Sequence, residues 1–149
     1  MKKLAIIFFI AMLCIPFANL TAQQANTSFL SFDLGYAPSY NFQTNAIGTV
    51  QMFGVNVRVA NPMTVGFYTN SGDLSGGMLK IKYDVRPQLR AVFGYGTSQR
   101  VGLGFEFIPY TRTVSGISTE FKLATEYTFT SNQFQNGTII FPLLIGIGF

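Results

Sequence analysis

The sequence predicts an all-β fold, an eight-stranded antiparallel up-and-down transmembrane β-barrel, and three observations carry that expectation. Apolar residues recur at every second position in run after run of the chain. Charged residues make up 11% of it against 48% hydrophobic ones. Its end is an alternating apolar series that finishes on Phe149. Period two marks a strand with one apolar face, and a surface so poor in charge asks for a solvent other than water.

A chain of 149 residues is enough for one domain and too short for two with separate cores. Residues 1–22 read as a cleavable signal peptide. Lys2 and Lys3 supply the positive start, residues 4–17 an apolar stretch short for a membrane span, and Leu20-Thr21-Ala22 a small residue at the cleavage point. Gln23 is then the expected first residue of the mature chain, and residues 23–149 form the barrel domain. Cys14 falls within the signal, so the mature chain has no thiol for a disulfide, a nucleophile or a metal, and Leu13 before it does not fit a lipidation site. Loss of Lys2 and Lys3 reduces the ten Lys and Arg to eight, against six Asp and Glu. These basic residues are scattered, which leaves no electrostatic footprint for nucleic acid.

The strands follow in order. Leu30, Phe32, Leu34 and Tyr36 alternate with Ser31, Asp33 and Gly35; Phe53, Val55, Val57 and Val59 with Gly54, Asn56 and Arg58; Met63, Val65 and Phe67 with Thr64, Gly66 and Tyr68. Leu79, Ile81, Tyr83 and Val85 alternate with Lys80, Lys82 and Asp84, and Leu89, Ala91, Phe93 and Tyr95 with Arg90, Val92, Gly94 and Gly96. Val101, Leu103, Phe105 and Phe107 face away from Gly102, Gly104 and Glu106. Phe121, Leu123, Tyr127 and Phe129 then stand against Glu120, Lys122, Ala124 and Glu126, and the terminal series 141–149 against Leu144, Gly146 and Gly148. None of these runs holds a helical period.

Connections alternate too. Ala60-Asn61-Pro62, Arg86-Pro87-Gln88 and Pro109-Tyr110-Thr111-Arg112-Thr113 read as proline-marked turns at one end. Residues 37–47, 70–77 and 130–137 read as longer polar loops at the other, with Thr97-Ser98-Gln99 as a short exception. That asymmetry fits a barrel with short turns on one side of a membrane and loops on the other.

Alternation alone does not say which face points in; composition does. An outer polar face in water would need dense charge, yet these faces are mostly Gly, Ser and Thr. Their few charges nearly balance: Arg58, Lys80, Lys82, Arg90, Arg100 and Lys122 against Asp33, Asp84, Glu106, Glu120 and Glu126. A balanced set suits a closed lumen, where an unpaired ion costs several kcal/mol or so. Eight strands enclose about enough space for their own side chains, and closure leaves no strand edge open to lipid.

The final strand, Phe141, Leu143, Ile145, Ile147 and Phe149, resembles the C-terminal insertion signal that the barrel-assembly machinery reads in outer-membrane proteins. Over residues 28–149 the chain resembles the small porin-like or OmpA-type β-barrel superfamily of Gram-negative bacteria. The resemblance is architectural and implies a fold, an outer-membrane address, outer-membrane lipid as surroundings and the assembly machinery as a partner during insertion. It implies no activity.

Some barrels of this group are lipid-modifying or peptide-cleaving enzymes that depend on histidine, and this chain has none. A Ser-His pair cannot be assembled, and the commonest metal ligand is missing. Asp84 with Glu106, or Glu120 with Glu126, could in principle act as carboxylate pairs, but neutralisation by Lys and Arg is the simpler role. Gly94-Tyr95-Gly96 and Gly102-Leu103-Gly104 lack the third glycine and the helix of a phosphate loop. Asn136-Gly137-Thr138 reads as turn chemistry. No cofactor, metal or catalytic residue is expected. Tyr40, Phe42 and Phe134 are the candidate loop contacts, either for an unknown surface ligand or, with Tyr36 and Tyr110, as an aromatic belt at the headgroups. The expectation is a non-enzymatic barrel with a structural or adhesive role. A narrow pore for small solutes is the alternative, and a lipid-modifying enzyme is disfavoured.

Overall fold

A computed structural model describes residues 28–149. The expected signal peptide, its cleavage site and Cys14 lie outside the described residues. Nine strands in chain order, β1 (Leu30–Asn41), β2 (Ala46–Ala60), β3 (Met63–Gly72), β4 (Gly76–Arg86), β5 (Leu89–Gly96), β6 (Arg100–Val114), β7 (Ile117–Thr130), β8 (Thr138–Ile140) and β9 (Leu143–Gly148), make eight staves. Strands β8 and β9 are one stave interrupted at Phe141 and Pro142, and together they lie between β7 and β1. Every pairing is antiparallel, and β1 with β9 closes the sheet on itself.

The register fixes the barrel's size. Partners run from Ser31 through Asn56, Gly66, Lys80, Gly94, Gly102, Thr128 and Thr138 back to β1 at Asn41. The trace returns ten residues further along the strand on which it began. With about 3.3 Å per residue and about 4.8 Å between strands, that stagger gives a tilt of roughly 40° and a backbone radius of about 8 Å. Such a cylinder is filled by inward side chains.

Alternation sorts the faces as the sequence requires. Asp33, Asn56, Lys80, Lys82, Glu106 and Lys122 are buried, whereas Leu34, Phe67, Ile81, Phe93, Leu103 and Ile145 stand exposed on the outer wall. This polarity is the reverse of a soluble protein's and leaves a contiguous apolar surface with no protein over it.

Several connections differ from the sequence expectation. Strand β6 continues through Pro109 to Val114, so residues 109–113 are strand, and the turn is Ser115-Gly116 with φ of 51° and 82°. A bulge between Phe107 and Tyr110 absorbs the proline, whose missing N–H is tolerated where the ladder is already irregular. The loops predicted at 37–47 and 70–77 are shorter, because strand pairing extends to Asn41↔Ala46 and to Asn70↔Gly76. Polar residues there take up ladder positions, since pairing satisfies their backbone better than a loop would. The last stave begins at Thr138 rather than Phe141, and Pro142 lies at its interruption. The ends themselves are as expected: connections β2–β3, β4–β5 and β6–β7 share one rim, and the other four share the opposite rim.

Candidate functional site

The lumen is built in two layers. Toward the turn rim, inward positions of five strands bring charges together, and the ion pairs form a closed ring of alternating sign. Arg90 Nη1 meets Glu106 Oε1 at 3.2 Å, Glu106 Oε2 meets Lys82 Nζ at 2.8 Å, and Lys82 reaches Asp33 Oδ2 at 3.2 Å. Asp33 Oδ1 meets Lys122 Nζ at 2.7 Å, Lys122 meets Glu120 Oε2 at 2.9 Å, and Glu120 returns to Arg90 at 3.7 Å. Each member touches two of opposite sign. Asp84 ties Arg58 to this ring, accepting from Arg58 Nη2 and Arg90 Nε at 2.6 Å each.

Above the ring, Lys80 Nζ donates to Glu126 Oε2 at 2.5 Å. Tyr68 fills the space between the two levels. Its hydroxyl donates to Asp33 and stands 2.9 Å from Asn56 Oδ1, while Lys80 and Lys82 lie 4.7 and 5.1 Å from its ring centroid. Two glycines make room for that ring: a Cβ on Gly54 would stand 2.3 Å from Tyr68 Cε1, and one on Gly66 2.9 Å from Cε2. Gly146 does the same for the Asp33–Lys122 pair.

Arg100 does not belong to the network. It lies at the loop rim, where Nη2 donates to Ser75 O at 2.5 Å. Without it the interior holds five cations, Arg58, Lys80, Lys82, Arg90 and Lys122, against the same five carboxylates. The carboxylate pairs considered from the sequence do not come together: Asp84 and Glu106 are separated by Arg90, and Glu126 is held by Lys80 a level above Glu120. The Gly94 and Gly102 motifs lie on β5 and β6 opposite each other, as paired strand positions.

The upper layer was not foreseen from the alternation. Ala37, Val50, Met52, Tyr68, Ile140 and Leu144 form an apolar cluster closed by Leu74. Leu74 belongs to the β3–β4 connection, which folds inward between Gly72 and Gly76, both at positive φ (86° and 126°) that other residues rarely adopt. Three hydrogen bonds hold it: Asp73 N to Thr49 O, Ser39 Oγ to Asp73 Oδ2 at 2.8 Å, and the Arg100 contact to Ser75. A leucine in a polar stretch and two flanking glycines were the available signal.

Two small voids lie between these groups. The void lined by Lys80, Glu126 and Pro142 measures about 10 Å³, and that lined by Asn56, Arg58 and Lys122 about 20 Å³. Each is about the room that a single water needs. Among the described residues, no group of three His, Cys, Asp or Glu side chains is placed to hold a metal ion.

The candidate loop contacts assemble on the outer wall. Tyr40 lies on β1 rather than in a loop, and its ring meets Phe42 edge-on at 5.1 Å; Phe42 meets Tyr127 at 6.0 Å. Phe134 folds down onto Tyr127 and Phe129 at 5.5 and 4.7 Å. Its carbonyl accepts from the Tyr127 hydroxyl, which also accepts from Gly137 N. Tyr36 and Tyr110 are exposed on the same wall but stand outside this cluster. The C-terminal series closes the seam: Phe149 and Leu30 exchange backbone hydrogen bonds, and Phe149 packs edge-on against Phe32 at 6.3 Å.

No protein-family model matches the chain, and no curated protein matches it. Among solved structures, it is similar to a chain described as a de novo designed transmembrane β-barrel, with 19% identity over 85% of this chain and 98% of that one, at a TM-score of 0.35. The architecture described above rests on this chain's own strand pairing.

Proposed function

We propose that this chain is a closed, non-conducting and non-catalytic barrel of the bacterial outer membrane, exported by its N-terminal signal and serving a structural role in the envelope. The observation that carries the reading is the lumen: an ion-pair ring below and an apolar cluster closed by Leu74 above. A solute path would require both layers to part, breaking several buried charge contacts together. Outer-membrane lipid covers the exposed aromatic and aliphatic wall, and the alternating series ending in Phe149 serves the assembly machinery.

Purified protein in planar bilayers tests the proposal directly. Silent membranes, together with heat-modifiable gel mobility of the envelope fraction, are the expected result. Reproducible conductance steps would overturn the closed-barrel reading, and lipid A or peptide chemistry that changed with the gene would overturn the non-catalytic one.

A further inference from the structure

Resting on the membrane reading above, we propose that the loop rim over β7, β8, β1 and β2 binds the uncharged sugar head of a glycolipid whose acyl chains lie on the wall beneath. Two connections meet there as one surface. Phe42 N donates to Gly137 O, Asn41 Nδ2 donates to Thr138 Oγ1, and the Phe42 and Tyr127 rings meet at 6.0 Å. Neither residues 38–57 nor residues 127–149 include an Asp, Glu, Lys or Arg. At the same rim Arg100 is turned to Ser75 O, and Asp73 reaches Ser39 on the lumen side. A lipid phosphate on this face therefore finds no cation directed at it, and charge-assisted contacts are what hold a phosphate.

What the surface offers instead is carboxamide and aromatic ring. Gln43, Asn45, Gln133, Gln135 and Asn136 are exposed along the two connections. A carboxamide presents an acceptor and two donors in one plane, which suits sugar hydroxyls, because each of those both donates and accepts. Beside the amides stands Phe134, 60% exposed, against Tyr127 and Phe129. The negative face of such a ring takes the weakly positive C–H edge of a pyranose. The wall beneath supplies the rest of the site. Tyr127, Ile139 and Tyr40 share one level across β7, β8 and β1, and Ile47 of β2, 83% exposed, lies beside Tyr40. Below them Tyr36, Leu34, Leu143 and Ile145 continue the exposed apolar surface. A free sugar would use the rim alone, whereas a glycolipid uses rim and wall together, so its tails raise the effective concentration of its head.

The chain contains no tryptophan, so a single Trp variant reports the lipid beside it. Ile47→Trp borders the patch, and Tyr95→Trp stands near the loop rim on β5, the stave opposite β1. Each is folded into phosphatidylcholine vesicles that carry, at equal mole fraction, acyl-brominated digalactosyldiacylglycerol, phosphatidylglycerol or phosphatidylcholine. The glycolipid should quench Ile47→Trp severalfold more than either phospholipid does, and all three should quench Tyr95→Trp alike. Adding Gln133→Ala, Phe134→Ala and Gln135→Ala to Ile47→Trp should remove the preference and leave quenching by phosphatidylcholine in place. No preference at Ile47→Trp, a preference for phosphatidylglycerol, or the same preference at Tyr95→Trp would overturn the site. Soluble digalactose that abolished the preference at the glycolipid's own concentration would overturn the lipid as ligand in favour of a free glycan. Phe93→Trp, on the outer wall of β5, separates the two readings: if it escapes every brominated lipid, the membrane reading itself fails.

Discussion

Asp33→Asn removes one charge from the centre of the ion-pair ring while keeping the side chain's size. Asp33 is fully buried, with Lys122 at 2.7 Å, Lys82 at 3.2 Å and the Tyr68 hydroxyl as a third partner. The substitution leaves five cations facing four carboxylates in the lumen. Breaking a buried pair by removing one partner costs about 3–5 kcal/mol, a large fraction of the roughly 5–15 kcal/mol that stabilises a domain. With a urea slope of about 2 kcal/mol per molar, the unfolding midpoint in vesicles should fall by roughly 2 M. The double variant Asp33→Asn/Lys122→Met restores charge balance and should recover more than half of that loss. A single variant within about 1 kcal/mol of the parent, or a double variant weaker than both singles, would refute the ring as an electrostatic unit.

Three further outcomes are expected. Gly54→Val should destabilise the barrel by about 1–3 kcal/mol in the same assay, because its Cβ would overlap Tyr68 Cε1; an unchanged midpoint would mean that the ring does not lie there. Leu74→Asp should free the β3–β4 connection from the apolar cluster, speeding hydrogen exchange at the amides of Asp73 to Gly76 while the β6–β7 ladder stays protected. Equal rates in variant and parent would show that Leu74 holds nothing. Deleting Phe149 should slow membrane assembly in cells, because the seam loses its Leu30 and Phe32 contacts, while detergent-folded protein keeps its heat-modifiable mobility. Unchanged assembly in cells would remove the insertion-signal role.

Where the sequence speaks clearly, it does so through a period that each strand carries by itself. Lys80, Lys82 and Asp84 must share a face because they are two residues apart, and Ile81 and Tyr83 must share the other. Proline misled at 109 because a bulge can host it inside a strand as readily as a turn can. The loop expected at 37–47 misled at 37–41 and 46–47, where strand pairing continues to Asn41↔Ala46, because a ladder accepts polar and small side chains as readily as apolar ones. Arg100 was grouped with the inner charges by parity, yet its place near the rim lets it reach the β3–β4 connection instead.

The sequence by itself determined that the chain is a barrel of alternating faces, which residues are apolar outward, and that the inner charges nearly cancel; all of these follow from local spacing and composition. Only the tertiary structure decided who meets whom: that Asp33 lies between Lys82 and Lys122, and that Leu74 closes the upper lumen. Those facts depend on the ten-residue stagger accumulated around the closed sheet. Stagger is a property of all eight staves at once, and no single strand encodes it.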